Sequence, residues 1–129
     1  MRSKIKSFED LFIYQKAREF SRKIADIVKK LPSNEKNKLK DQMTRARRSI
    51  TNNLAEGYGR FHYQENIQYC RQSRGSVYEI IDDLIECFDE SYINDKDLRS
   101  LKEEACSLIK ILNSYIGYLQ KAKQEVSTH

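Results

Sequence analysis

Between Lys36 and Arg48 the chain carries Lys36, Lys38, Lys40, Arg45, Arg47 and Arg48 against a single acid, Asp41. Cations at that density either solvate a helical surface or do one chemistry: they neutralise phosphates and release condensed counterions, with little regard for base sequence. Arg47 and Arg48 fall away from the neighbouring apolar positions and are the first candidates for contact. Lys4, Lys6, Arg18, Arg22 and Lys23 extend the basic character upstream. Beside the cations runs a polar set, Gln42, Ser49, Asn53 and Glu56, spaced by seven, four and three residues. That spacing is one face of a helix. A polar group next to a core costs about 1–3 kcal/mol when left unpaired. Glu56 also sits where the helix dipole is negative, so it needs a partner. Arg60, Arg71, Arg74 or a group on another subunit can supply one. Gln42, Ser49, Asn53, Glu56 and Arg60 therefore read as an interhelical network and not as catalytic machinery.

Catalysis would need a further titrating group at a suitable spacing. The histidines are His62, near a turn, and His129, at the terminus. There is no Glu-x-x-His pair for a di-iron bundle and no cysteine pair with zinc spacing. No glycine-rich loop follows a strand, and Gly57-x-Gly59 is too short to cradle phosphate. The expectation is a non-enzyme that uses neither metal nor cofactor. Cys70, Cys87 and Cys106 are odd in number, widely spaced and set at apolar helix positions, as reduced core cysteines would be. No run of about 18 apolar residues is present, and the N-terminal MRSKIKSFEDLF lacks an apolar signal core. A cytoplasmic protein without a membrane span is expected.

The elements that must hold these residues are helices. Of 129 residues 33% are charged, with four Gly and one Pro, a composition that favours long helices over sheet. The chain is expected to be one domain, 1–129. Helix 1 is predicted over Phe8–Leu31, with Ser7 and Asp10 as a capping box and Ile13, Ala17, Phe20, Ile24, Ile27 and Leu31 buried. Helix 2 is predicted from residue 34, after Ser33 as N-cap, to Glu56, burying Leu39, Met43, Ala46, Ile50 and Leu54. Gly57 then takes the left-handed position past its end. Helix 3 is predicted over His62–Glu90, without a strong cap and with Ile67, Cys70, Val77, Ile81, Leu84 and Phe88 inward. Helix 4 runs over Asp95–Lys123 with Asp95 as N-cap and Leu98, Leu101, Ala105, Leu108, Leu112, Tyr115 and Leu119 inward. Short links between long helices imply antiparallel neighbours. The fold class is all-α, an up-down-up-down four-helix bundle. Gly75, inside helix 3, marks a close approach by helix 2 or by a neighbouring subunit.

Leu11-Phe12-Ile13-Tyr14 sets large side chains on consecutive positions. Each step turns about 100°, so they circle the helix and one core cannot bury them all. Ile111 and Tyr118 repeat the excess on helix 4, at the same end of the bundle. Leu11, Phe12, Tyr14, Ile111 and Tyr118 are therefore the expected homo-oligomer interface. Charge is also uneven. Residues 1–74 hold 18 Lys or Arg against 8 Asp or Glu, and residues 75–129 hold 6 against 11.

Tyr14-Gln15-Lys16-Ala17, Leu31-Pro32 with Glu35, Leu39, Gln42, Arg45-Ala46, Ser49-Ile50, Asn53, Ala55-Glu56-Gly57, Gly59-Arg60, and Gly75-Ser76 with Glu79 occur in that order. This order resembles the four-helix bundle proteins encoded in the intervening sequences of bacterial 23S ribosomal RNA genes, also labelled S23 ribosomal proteins. The accessory variability protein of diversity-generating retroelements is a more distant relative. Ser73 stands where the family tends to have a small apolar residue. The resemblance implies a ring-like homopentamer and a nucleic-acid-binding role, and brings no catalytic residues. The expected function is a non-catalytic oligomer that binds RNA or DNA through Lys36, Lys38, Lys40, Arg45, Arg47 and Arg48. The alternative is a protein-interaction scaffold that docks a nucleic-acid enzyme such as a reverse transcriptase.

Overall fold

The computed structural model describes residues 5–33 and 38–127. A short 3-10 helix, Phe8–Asp10, precedes α1 (Phe12–Lys30), α2 (Leu39–Tyr58), α3 (Tyr63–Asp89) and α4 (Asp95–Ser127). The expected capping box is present, but it caps the 3-10 turn. Ser7 Oγ accepts from Glu9 N, and Asp10 Oδ2 accepts from the backbone N–H groups of Ser7 and Lys6. Leu11 then turns extended (ψ 130°), so α1 starts at Phe12 and not at Phe8. Leu31 is extended as well, as the residue before a proline prefers, and ends α1 after Lys30.

The start of α2 departs further from expectation. Ser33 is not the N-cap of α2: Lys38 holds that position in the left-handed region (φ 58°) and the helix begins at Leu39, while residues 34–37 of the predicted helix lie outside the described residues. At the other end α2 continues through Gly57 to Tyr58, and no described glycine has a positive φ. Gly57 serves packing instead. A Cβ there would lie 2.6 Å from Asn66 Oδ1 and 2.9 Å from Tyr69 Cβ on α3. α3 begins at Tyr63, and the His62 side chain makes no cap bond. α4 is capped one residue earlier than expected: Asn94 Oδ1 accepts from Asp97 N at 2.7 Å.

Partners run in opposite directions on adjacent helices. Gly57 meets Asn66, the Ile50 carbonyl accepts from Ser73 Oγ at 2.8 Å, Ser49 meets Ser76, and Met43 meets Cys87. Between α3 and α4, Gln64 bonds Lys123, Asn66 bonds Tyr115 and Arg74 bonds Asn113. α1 packs on α2 and α4, which closes a ring of four antiparallel helices. The apolar stripes of α1 and α2 bury as the spacing requires. On α4, Leu101, Ala105, Leu108, Leu112 and Leu119 are buried, while Leu98 and Tyr115 are half-buried.

α3 is rotated from the predicted register. It buries Ile80 and Cys87, leaving Ile81 partly buried and Phe88 38% exposed. Two apolar stripes lie side by side on this helix, and period alone cannot choose between them. Small residues decide. Gly57, Ser49, Ser73 and Ser76 let α2 and α3 approach closely, which rolls α3 toward α2. Cys106 also departs from expectation: it is exposed, while Cys70 and Cys87 are buried.

A Cβ at Gly75 would meet nothing within 4 Å, so the close approach expected there is not made among the described residues. Gly75→Ala should therefore stabilise the protein by about 0.5–1 kcal/mol, the helix preference for Ala over Gly. A rise in the urea midpoint with an unchanged slope checks this; a fall would mean that something outside the chain packs on Gly75.

Candidate nucleic-acid interface

The register of α2 divides the predicted cations. At 100° per residue, Lys38, Arg45 and Arg48 lie on the side opposite the Met43–Ile50–Leu54 stripe, and all are exposed. Lys40 and Arg47 lie on the flank that faces α1 and are half-buried. Arg47 is a correction to the sequence reading, because its side chain turns into the α1–α2 contact. Ser21 Oγ donates to the Arg47 carbonyl at 3.2 Å, Arg47 Nη1 lies 3.4 Å from Ser21 Oγ, and Nε is buried without a partner among the described residues. Burial, then the neighbouring Arg48 charge, lowers the Arg47 pKa from its ordinary value. Lys36 and Lys4 lie outside the described residues.

α1 widens the basic surface. Arg18, Arg22 and Lys29 are exposed and share the outward face next to α2, set by Ser21 pointing at Arg47. Lys23 leaves this face and pairs with Glu104 on α4 at 2.5 Å. No described carboxylate lies within ion-pair range of Lys38, Arg45 or Arg48, although Asp41 lies on the same side of α2. A helix whose exposed cations lack carboxylate partners is suited to holding anionic oxygens.

The predicted polar network resolves into separate clusters. Asn53 Nδ2 donates to Ser49 O and Ser49 Oγ at 2.8 and 2.9 Å, and Ser76 Oγ on α3 meets Ser49 Oγ at 2.8 Å. Glu56 pairs with Arg60 at 3.1 Å, and Arg60 also reaches Glu65 at 3.6 Å and donates to Tyr69 Oη at 2.7 Å. The guanidinium stands 5.1 Å from the Tyr69 ring centroid. Arg60 thus ties the end of α2 to the start of α3, and Glu56 helps hold it there. Gln42 lines a groove between α2 and α3 with Arg45, Ser49, Ser76, Glu79, Asp82 and Asp83.

Asp83 in that groove is pushed up to about 6, chiefly by burial and then by Asp82, Glu79 and Glu86. Its folded pKa exceeds its unfolded value, so its contribution is fully present below about pH 4 and lost as pH rises through about 6. Asp83→Asn should therefore stabilise at pH 7 by on the order of 1 kcal/mol, discounted for its partial exposure. The gain should vanish near pH 4, which urea unfolding at the two pH values checks.

The apolar excess at one bundle end is present, though not on all the expected residues. Phe12 is 58% and Tyr118 64% exposed, whereas Leu11 is buried in the core and Tyr14 and Ile111 are half-buried. Tyr14 packs edge-on against Phe8. Phe61, in the α2–α3 turn, is fully exposed, and helix periodicity does not point to it. Its signal is local: a large apolar residue between Arg60 and His62, where no helix stripe requires one.

The profile of 23S rRNA-intervening sequence proteins matches residues 9–114, from the first turn through most of α4. The chain belongs to the 23S rRNA-intervening sequence protein family. A crystal structure at 1.70 Å of a protein with unknown function from the S23 ribosomal protein family of Bacteroides thetaiotaomicron VPI-5482 has the same fold, with a TM-score of 0.73. It is 23% identical, and the alignment covers 81% of this chain and 97% of that one. No curated protein matches the chain. The description of the 23S rRNA-intervening sequence family names no catalytic activity. Its matched span takes in α1, Lys38 and all of α2, and so every described cation of the candidate interface. No helix among the described residues is long and apolar enough to cross a membrane.

Proposed function

We propose that this protein is a non-catalytic, oligomeric bundle that binds RNA or DNA phosphates through the outer face of α1 and α2. The observation that carries this reading is the exposure of Lys38, Arg45 and Arg48 without a described carboxylate partner, beside Arg18 and Arg22. Contacts of this kind position a backbone and carry little sequence information. Self-association through Phe12, Phe61 and Tyr118 would set several basic faces on one particle; the resemblance implies five. The reading needs no cofactor or metal and places the protein in the cytoplasm.

Light scattering after size exclusion, with and without mixed-sequence RNA at low and raised salt, tests it. The expected result is an oligomer whose mass rises with RNA and returns as salt increases, because each phosphate held by a cation adds to the salt slope. An oligomer indifferent to RNA at low salt would overturn the nucleic-acid reading, and a monomer would overturn the assembly.

A further inference from the structure

Tyr78, Ile81, Ile85 and Phe88 follow one another at intervals of three, four and three, the spacing with which one helix meets another. They share a flank of α3 with Arg74, whose Nη1 donates to Asn113 Oδ1 of α4 at 2.7 Å. The stripe therefore runs along the outer margin of the α3–α4 contact. Tyr78, Ile85 and Phe88 are 56%, 37% and 38% exposed, and Ile81 is partly buried. Along this stretch α3 gives the core Val77, Ile80, Leu84 and Cys87, with Ile81 packed against its edge. Outward of the stripe the surface is acidic: Glu79, Asp82, Glu86, Asp89 and Glu90 are exposed, and no Lys or Arg occurs between Arg74 and Lys96. On the α4 side Arg99, Lys102 and Cys106 are exposed, with Arg99 held by Asp95 at 2.8 Å.

We infer that this stripe docks an amphipathic helix of another protein, apolar at the positions that meet Tyr78, Ile81, Ile85 and Phe88 and basic along the flank that meets Asp82, Glu86 and Asp89. The three-four-three spacing selects a helix over an extended segment. The acidic lip selects a basic flank and excludes nucleic acid, which it repels. A second copy of this chain does not supply the match. Two copies joined through the same stripe would oppose acid to acid. The other exposed large apolar side chains, Ile5, Phe12, Phe61, Tyr63, Tyr118 and Val126, lie at the far end of the bundle, and the basic α1–α2 face exposes none beyond that end. The acidic lip fixes how the incoming helix is rotated, with its basic flank toward Asp82 and Asp89.

Cys106 gives a readout, because it is exposed beside the stripe while Cys70 and Cys87 are buried. A maleimide should label Cys106 selectively. The probes are two synthetic helical peptides with the same leucine heptads, one with lysine and one with glutamate at the remaining positions. The lysine peptide, at about ten times its Kd, should slow Cys106 labelling roughly tenfold by mass action, and the glutamate peptide should not. Tyr78→Ser with Ile85→Ser removes two side chains of the stripe that lie outside the buried core and should abolish the protection. Asp82→Lys with Glu86→Lys should transfer the preference to the glutamate peptide. Equal protection by both peptides, no protection by either, or protection that survives the serine variant would overturn the proposal. So would Cys106 protection that grows with protein concentration alone, since a second copy would then cover the stripe.

Discussion

Converting Arg45 and Arg48 to Glu should weaken binding to mixed-sequence RNA by roughly 100-fold near 0.05 M salt, because two attractions to phosphate become two repulsions. The slope of log K against log salt should become shallower by about 1.4 on single strands and about 1.8 on duplex, since each neutralised phosphate contributes about 0.7 and about 0.9 respectively. The fold should be unaffected, because both side chains are exposed and have no described carboxylate partner. Arg47 is the wrong residue for this test. Its side chain lies between α1 and α2 against Ser21, so reversing it would leave a half-buried negative charge in that contact and confuse weaker binding with weaker folding. The matched control is Lys96→Glu with Lys110→Glu on α4, which changes net charge equally but away from the basic face. Filter binding or anisotropy across salt concentrations reads both pairs. If the control weakens binding as much as the test pair, binding is a matter of net charge and the α1–α2 face has no privileged role.

The helices were legible because their apolar stripes are long and regular. Phe20 and Ile24 on α1, and Met43, Ile50 and Leu54 on α2, are buried as their spacing of three and four requires. Legibility stopped where the choice was between adjacent stripes. Ile81 equals Ile80 in size and Phe88 is larger than Cys87, so size did not point to the buried stripe; the serines that draw α3 onto α2 act through a neighbour not adjacent in sequence. Gly57 misled for a related reason. Glycine near a helix end suits a left-handed turn, yet here it is helical and makes room for Asn66 and Tyr69. The candidate site was legible as a set of cations and not as a surface. Arg45, Arg47 and Arg48 are near neighbours in sequence, but which of them faces solvent depends on where α1 packs, and Ser21 settles that for Arg47. Phe61 could be seen only by asking what an apolar residue does in a turn.

Gly57→Ala should destabilise the protein by about 2 kcal/mol, although alanine is the better helix former by about 1 kcal/mol. The added Cβ would stand 2.6 Å from Asn66 Oδ1, 2.9 Å from Tyr69 Cβ and 3.2 Å from the Asn66 carbonyl oxygen. A Cβ and a backbone carbonyl are not the far ends of flexible side chains, so α2 and α3 must separate there. Asn66 is 8% exposed and already committed: Oδ1 accepts from the Cys70 thiol and Nδ2 donates to Tyr115 Oη, each at 3.5 Å. Moving it would loosen the tie to α4 and disturb a buried polar group, which costs about 1–3 kcal/mol when it loses a partner. Tyr69 would move with it, and Tyr69 holds Arg60 at 2.7 Å. Urea unfolding of Gly57→Ala beside Gly75→Ala isolates the effect, because the chemical change is identical and only the space differs. The midpoints should move in opposite directions. If both variants gain stability, α2 and α3 are farther apart at Asn66 than a Cβ requires, and helix propensity alone decides both positions.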